Sequence, residues 1–381
     1  MRFQPLPSAL CPLPSDPCFP KGGGTIESLH EIIGVIHIHS IHSDGSGTMP
    51  QIIEAGQLAD LDFLIVTDHD TLEAKAAGWE GWHERLLVLV GEEVASQNQH
   101  CLALGLEAEI GGGFLHRRYR RGHRSADPEP PRRILERIGE QDGLSFIVHP
   151  HGRYRPFFSM RSYEWKEWGS DRFDGMEIWS YMFDWVRHFR FYKFRKFYRD
   201  PDAQITGPFP ETLAMWDRLC RTRRIVGIAG VDAHAKTKRT PFGTLVVFPY
   251  KKLFRTIRTH ILSQEGFSGQ WADDARIVYR ALREGHCFGA YDLLSSSEGF
   301  RFLLRSECGT AMMGDVMPFC EDAQIEIVVP RRASIRLLRN GKEIRRVEGD
   351  SLRFRAKTPG VYRTEVALGG RPWIYSNPIY F

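Results

Sequence analysis

Five apolar, strand-length runs of this chain each end in a histidine- or acid-bearing motif. Ile32–Ile38 leads into His37-Ile-His39-Ser-Ile-His42-Ser43-Asp44-Gly45, and Phe63–Val66 into Thr67-Asp68-His69-Asp70. Leu86–Val90 runs into Gly91-Glu92-Glu93, Leu144–Val148 into His149-Pro150-His151-Gly152, and Ile225–Gly230 into Val231-Asp232-Ala233-His234. Cys101–Leu106 and Gly175–Trp179 are further strand-like runs. Short apolar runs bounded by turn residues read as buried strands. Helix-like segments lie between them. Thr48 can cap a helix with Pro50 in its first turn, Pro130-Pro131 precedes Arg132–Gly139, and Pro210 precedes Glu211–Cys220. Strands alternating with helices predict an α/β fold with a mainly parallel sheet or barrel. Chemistry in such folds collects at the C-terminal strand ends.

The residues at those ends are metal ligands by type. On a strand, His37 and His39 project to the same face. With Asp44, His69, Glu93, His100, His149, Asp232 and His234 they form a candidate set of six imidazoles and three carboxylates. A zinc ion takes about four ligands, so the set implies two or three divalent ions with a bridging carboxylate. Mixed imidazole and carboxylate ligation suits zinc first, with manganese or iron compatible, and disfavours calcium or magnesium alone. Clustered ions lower the pKa of a bound water to give hydroxide near neutral pH, which points to hydrolysis.

Composition sets the remaining bounds. Net charge is +4 and 42% of the 381 residues are hydrophobic, so charge alone does not imply a nucleic-acid binder. No apolar run approaches the roughly 20 residues that span a bilayer. Met1 to Pro20 holds six prolines and no apolar signal-like core, and is expected to be an N-terminal arm over residues 1–30. The seven cysteines form no C-x-x-C pair, which speaks against a disulfide framework and for a reducing, cytoplasmic setting.

Past Asp292 the pattern changes. Ser295-Ser-Ser297 reads as a linker, followed by β-rich runs at Ile325–Val329, Ser334–Leu338, Ser351–Arg355 and Val361–Leu368. Asn340-Gly341 is a hairpin signal. Residues 298–381 are therefore expected to form a C-terminal antiparallel, sandwich-like β domain behind a metal-site domain over 31–292. A basic insertion at 107–133 is open to two readings, a solvated surface segment or a lid over an anionic substrate.

The motifs at His37–Gly45, Thr67–Asp70, Gly91–Glu93, His100–Gly105, His149-Pro150 and Asp232–His234 together resemble the PHP (polymerase and histidinol phosphatase) family over about residues 32 to 290. The resemblance implies a distorted (β/α)7 barrel, a multinuclear metal site and phosphoester hydrolysis. It assigns His37, His39, Glu93 and Asp232 to one ion. Glu93 then bridges to a second ion completed by His100 and His149, and Asp44, His69 and His234 form a third set. Pro359-Gly-Val-Tyr-Arg363 and Pro372-Trp-Ile-Tyr-Ser-Asn-Pro-Ile-Tyr380 look like the closing segment of CehA/McbA-type metallohydrolases, some of which hydrolyse aryl carbamate esters.

Glu93 and Asp232 are the expected catalytic carboxylates. His151 is a candidate acid for the leaving group or an exposed histidine. Arg153 is a phosphate contact or a surface arginine. His42 supports the ligands or faces substrate, and Trp179 is a substrate platform or simple packing. The aromatic and basic stretch 183–198 reads as an amphipathic helix packed on the barrel, rather than a nucleic-acid surface. The expected partner is a small anionic substrate, a phosphate mono- or diester. The alternatives are a carboxylic or carbamate ester on the same site, or a nucleic-acid-associated module.

Overall fold

The apolar runs become strands because β-branched and aromatic side chains fit a sheet buried on both faces. The structure, a computed structural model, describes residues 29–96, 99–111, 129–152, 163–189, 192, 199–240 and 243–381. Arg153, most of the 107–133 insertion, residues 1–28 of the N-terminal arm and much of 183–198 lie outside those residues, and the expected arm is corrected at its end, where His30 already belongs to the first strand. The site-bearing half contains β1 (His30–Ile38), β2 (Phe63–His69), β3 (Gly81–His83), β4 (Leu86–Ser96), β5 (Gln99–Leu104), β6 (Leu144–Ile147), β7 (Gly175–Ser180) and β8 (Val226–Gly230).

β1, β2 and β4 are parallel neighbours, as are β6, β7 and β8. β5 departs from the parallel expectation and runs antiparallel to both β4 and β6. Two residues separate β4 from β5, too few for a crossover, so the strand must reverse. The chain after β8 returns to β1. Val231 N donates to Ile36 O at 3.2 Å, Ala233 N to His37 O at 3.1 Å, and His39 N to Ala233 O at 2.9 Å.

One face of this sheet, with Val35, Leu64, Val66 and Val88, packs on α1 (Met49–Leu58), α2 (Pro131–Glu140) and α4 (Pro210–Cys220). Between the last two lies α3 (Tyr181–His188), whose Phe183, Trp185 and Val186 are buried, as an amphipathic helix requires. The other face, with Ile36, Ile65, Leu89 and Phe146, meets α5 (Trp271–Glu284). The start of α1 follows its sequence signal: Gln51 Oε1 accepts from Thr48 N at 3.0 Å.

The second half holds β9 (Lys236–Thr240), β10 (Gly243–Val247), β11 (Ile257–Ser263), β12 (Cys287–Tyr291), β13 (Arg301–Ser306), β14 (Gly309–Met312), β15 (Gln324–Arg339), β16 (Lys342–Arg355), β17 (Val361–Leu368), β18 (Arg371–Ser376) and β19 (Ile379–Tyr380). β11 pairs with β1, β12 with β11, and β18 with β12, all antiparallel, so one continuous sheet reaches the C-terminal strands. β15 and β16 form the hairpin that Asn340-Gly341 signals, with φ of 52° and 78° at its two turn residues.

The closing segment acts as a peg. Asn377 accepts from Gly227 N at 2.7 Å and donates to Gly227 O at 2.8 Å and Cys287 O at 2.9 Å. Buried Arg363 holds Asp217 at 2.6 and 2.7 Å and Glu365 at 2.6 Å. Two expectations are corrected here. Cys308 and Cys320 form a disulfide with Cα atoms 6.6 Å apart, because the β13–β14 turn folds back toward the chain leaving β14. The cysteine argument for a reducing compartment therefore loses its support, although Cys101, Cys220 and Cys287 are free and buried. Ser297 is not a loose linker residue. It is buried, donates to Asp292 Oδ1 at 2.7 Å and lies 3.1 Å from His260 Nε2. Among the described residues no helix is long and apolar enough to cross a membrane.

His260 is buried between Glu31 Oε1 at 2.8 Å and Asp292 Oδ2 at 2.9 Å. Burial alone would lower its pKa, but Asp292 and then Glu31 outweigh it and raise it to about 9. Its stabilising contribution is complete below the unfolded value near 6.5 and is lost as pH rises through about 9. Urea midpoints of wild type and His260→Gln should converge between those pH values, closing a gap on the order of 3 kcal/mol. Asn377→Ala strands buried peptide groups and should cost about 3 kcal/mol, seen as a lower calorimetric Tm.

Candidate metal centre

The nine candidate ligands come together at one end of the site-bearing strands. His37 is the extra residue of a β-bulge where the β1–β2 register shifts, and its φ is 72°. Simple strand alternation therefore does not bring His37 and His39 together, since the bulge breaks it. The rings still converge, with centroids 5.2 Å apart and both Nε2 atoms 3.2 Å from Glu93 Oε2. His69 ends β2, whereas Glu93 sits inside β4, which continues to Ser96. His100 comes from the start of β5. Because β5 is reversed, its first residues lie at the same end as the last residues of its neighbours. His149 and Asp232 follow β6 and β8 with φ of 32° and 52°. Left-handed backbone at non-glycine residues costs on the order of 1 kcal/mol each and persists only where the surroundings impose it.

Glu93 organises the cluster. Oε1 faces His100 Nδ1 at 2.7 Å and His149 Nε2 at 3.0 Å. Oε2 faces His37 and His39 Nε2 at 3.2 Å each and His69 Nδ1 at 3.3 Å. Asp232 Oδ1 lies 3.5 Å from His37 Nε2, 3.4 Å from His39 Nε2 and 3.4 Å from His234 Nδ1. Asp44 Oδ1 lies 3.0 Å from His234 Nε2 and 3.7 Å from His69 Nε2. Its other oxygen pairs with Lys236 Nζ at 2.7 Å.

Burial and charge set the protonation pattern. Burial alone would raise Glu93, but the imidazoles of His69, His100 and His37 outweigh it and hold its carboxyl well below the usual range. Burial alone would lower His37 and His39. Asp232, Glu177 and Glu93 lift His37 well above its ordinary value, and Asp232 and Glu93 bring His39 to about 9. At His69 burial wins over the attraction of Glu93, and the ring falls to about 3.

The donor set fits divalent ions. Both ring nitrogens of His39, Nδ1 of His149 and Oδ1 of Asp44 are buried without a hydrogen-bond partner among the described residues. An unpaired buried polar atom costs about 1–3 kcal/mol, and here several lone-pair donors converge. Four groups have ligand atoms within 4.8 Å of one another: His39/Asp44/His69/His234, His37/His39/Glu93, His37/His149/Asp232 and His69/Glu93/His100.

Three supporting residues were not assigned from the sequence. Glu177, buried in β7, accepts from His37 Nδ1 at 3.0 Å and from His149 N at 3.0 Å. A lone acid in an otherwise apolar strand was its signal. Asp68 accepts from Ser40 N at 2.7 Å and Ser40 Oγ at 2.6 Å, tying the first motif to β2. Tyr250 donates its hydroxyl to His39 O at 2.6 Å and accepts from Gly47 N at 3.3 Å.

The expected substrate and acid residues fare differently. Trp179 is corrected: it is 1% exposed, donates to Asp184 Oδ2 at 3.0 Å and packs on Tyr375, so it cannot form a substrate platform. His151 is not brought among the ligands; its Nδ1 lies 2.9 Å from Thr212 Oγ1 and its ring stacks on Trp168. His42 is partly exposed, 3.3 Å from Glu73 Oε2, and belongs to none of the four donor groups. Tyr163 and Phe183 flank the cluster, with ring centroids 4.6 Å from His100 and 4.3 Å from His149 respectively.

No family model and no curated protein matches the chain. Among solved structures it is similar to a two-domain protein of Bacteroides vulgatus that contains a predicted PHP-like metal-dependent phosphoesterase. That likeness has 13% identity and a TM-score of 0.42, and covers 92% of this chain and 95% of that one. A proposed metal-dependent phosphoesterase of Bifidobacterium adolescentis shares 16% identity at a TM-score of 0.35, over 53% of this chain and 88% of that one. An amidohydrolase of Chromobacterium violaceum, with bound sulfate and no metal, shares 18% identity at a TM-score of 0.32, over 53% and 87%. Likenesses this low carry no weight for activity, so the functional reading rests on the chain's own residues.

Glu177→Gln leaves one acceptor where two donors need one each. Metal affinity measured by chelator competition should fall about 10- to 100-fold with little change in the far-ultraviolet circular dichroism.

Proposed function

We propose that this chain is a metal-dependent hydrolase of the PHP type, a phosphoesterase acting on small phosphate mono- or diesters. The observation that carries the reading is Glu93, whose two oxygens face two different imidazole sets. That is the arrangement a carboxylate bridging two ions requires. On this reading His37, His39, Glu93 and Asp232 hold one ion, and Glu93, His100 and His149 a second. Asp44, His69 and His234 hold a third. Zinc is the first expectation, with manganese or iron compatible. Bound ions supply Lewis acidity toward the substrate and lower the pKa of water.

The protein's part is to hold the donors in place. Glu177 fixes the ring of His37 so that Nε2 points at Glu93, and anchors the backbone of His149. Asp68 and Tyr250 brace the loop that carries His39 and Asp44. We read the seven strands β1, β2, β4, β5, β6, β7 and β8 as a distorted (β/α)7 barrel over residues 31–292. The hydrogen bonds from Val231 and Ala233 back to β1 support this. We read residues 298–381 as a β domain of the CehA/McbA type, held against the rest of the chain by Arg363 and Asn377.

Tyr163 and Phe183 beside His100 and His149 favour one second reading, an aryl carbamate or carboxylic ester hydrolase using the same donors. A panel of p-nitrophenyl phosphate, bis-p-nitrophenyl phosphate and 1-naphthyl carbamate separates the two. Metal-loaded protein should turn over a phosphate ester and lose activity with chelator; turnover of the carbamate alone would move the assignment to the second reading. Asp232→Ala should lower turnover at least about 100-fold while the protein stays folded. Elemental analysis should find two or more metal equivalents per chain, and a single tightly held zinc would overturn the multinuclear reading.

A further inference from the structure

The three donor sets are not equally protected. Side-chain exposure is 0% for His37 and His39, 1% for Glu93, 3% for His149, 8% for Asp232 and 9% for His100. It rises to 12% for His234, 16% for His69 and 33% for Asp44. The set on Asp44 therefore forms the outer rim of the centre. Asp44 is also the one carboxylate of the nine whose second oxygen is ion-paired to a cationic side chain among the described residues. Lys236 Nζ lies 2.7 Å from Asp44 Oδ2 and also donates to Asp44 O. Oδ1 of the same carboxylate is buried, has no hydrogen-bond partner among the described residues and faces His234 and His69. One oxygen is thus aimed at the imidazoles and the other neutralised from outside.

We propose that Lys236 is a counter-cation that competes with the rim ion for Asp44 and makes the Asp44/His69/His234 position the weakly bound, exchangeable one. The inference rests on the metal-centre reading above and adds a ranking of its positions. A divalent ion on Asp44 shares that carboxylate with a fixed ammonium, so it gains less from the charge than an ion on Glu93 or Asp232. The ammonium also repels the ion across a short distance. At a partly exposed rim this repulsion is screened by water but remains comparable to about a factor of ten in affinity. Because the Lys236 side chain is 46% exposed, replacing it leaves the packed interior untouched.

The test is metal binding to the full chain. Manganese titrations followed by calorimetry and by elemental analysis after dialysis should give at least one tight equivalent and one weaker, dialysable equivalent. Lys236→Met should tighten the weaker equivalent about tenfold and leave the tight binding within about twofold. Lys236→Arg keeps the charge and should restore the wild-type profile. An unchanged or weakened outer equivalent in Lys236→Met would show that Lys236 only positions Asp44, and would overturn the proposal. Equal affinity of all equivalents in wild type would overturn it as well. No manganese or zinc binding in wild type, despite folded protein, would instead bring down the metal-centre reading itself.

Discussion

Everything in the centre depends on one buried carboxylate. Glu93 is 1% exposed, and five imidazoles lie within 3.3 Å of its oxygens. Burying such a charge without partners would cost many kcal/mol. The surrounding histidines, His37 and His39 from the end of β1, His69 from the end of β2, His100 from the start of β5 and His149 after β6, repay that cost only if these segments meet at the right height. The sheet order, the reversed strand and the bulge at His37 can all be read as solutions to this one problem. The same residue divides the cluster, since Oε1 and Oε2 serve separate imidazole sets.

Three of the candidate ligands sit on strained backbone. His37, His149 and Asp232 all adopt left-handed backbone, and each is locked by bonds at or beside it. The bonds from Val231 and Ala233 to β1 impose the turn at Asp232, and Glu177 accepts from the nitrogen of His149. Rigidity here comes from the backbone of neighbouring strands rather than from the ligands alone. Such a frame keeps donors converged against their mutual repulsion.

Much of this was legible in the sequence. All seven strand runs around the site match observed strands, because long apolar runs report burial directly. The helices at α1, α2 and α4 match because Pro and Thr mark their starts. The nine candidate ligands are brought together because the strand ends that carry them meet at one edge of the sheet. Other features left no local trace. The bulge at His37 is set by pairing with β2, and the reversal of β5 by the short β4–β5 connection. Glu177 looked like one polar residue in an apolar strand, and its two partners lie 140 and 28 residues away. Trp179 misled because aromatic residues after a strand suit a binding wall and a core equally well. Cys308 and Cys320 pair through a fold-back that a search for short cysteine spacings does not see.

The β12–β18 ladder makes the C-terminal strands more than an appendage. Phe288, Gly289 and Ala290 pair with Ser376, Tyr375 and Ile374. Cutting the chain before residue 298 would bare that edge of β12 in a sheet that otherwise continues past it. An uncovered, largely apolar strand edge invites pairing with another molecule. Residues 31–292 are therefore poorly suited to exist as a separate fragment, because the edge that β18 covers would be left open.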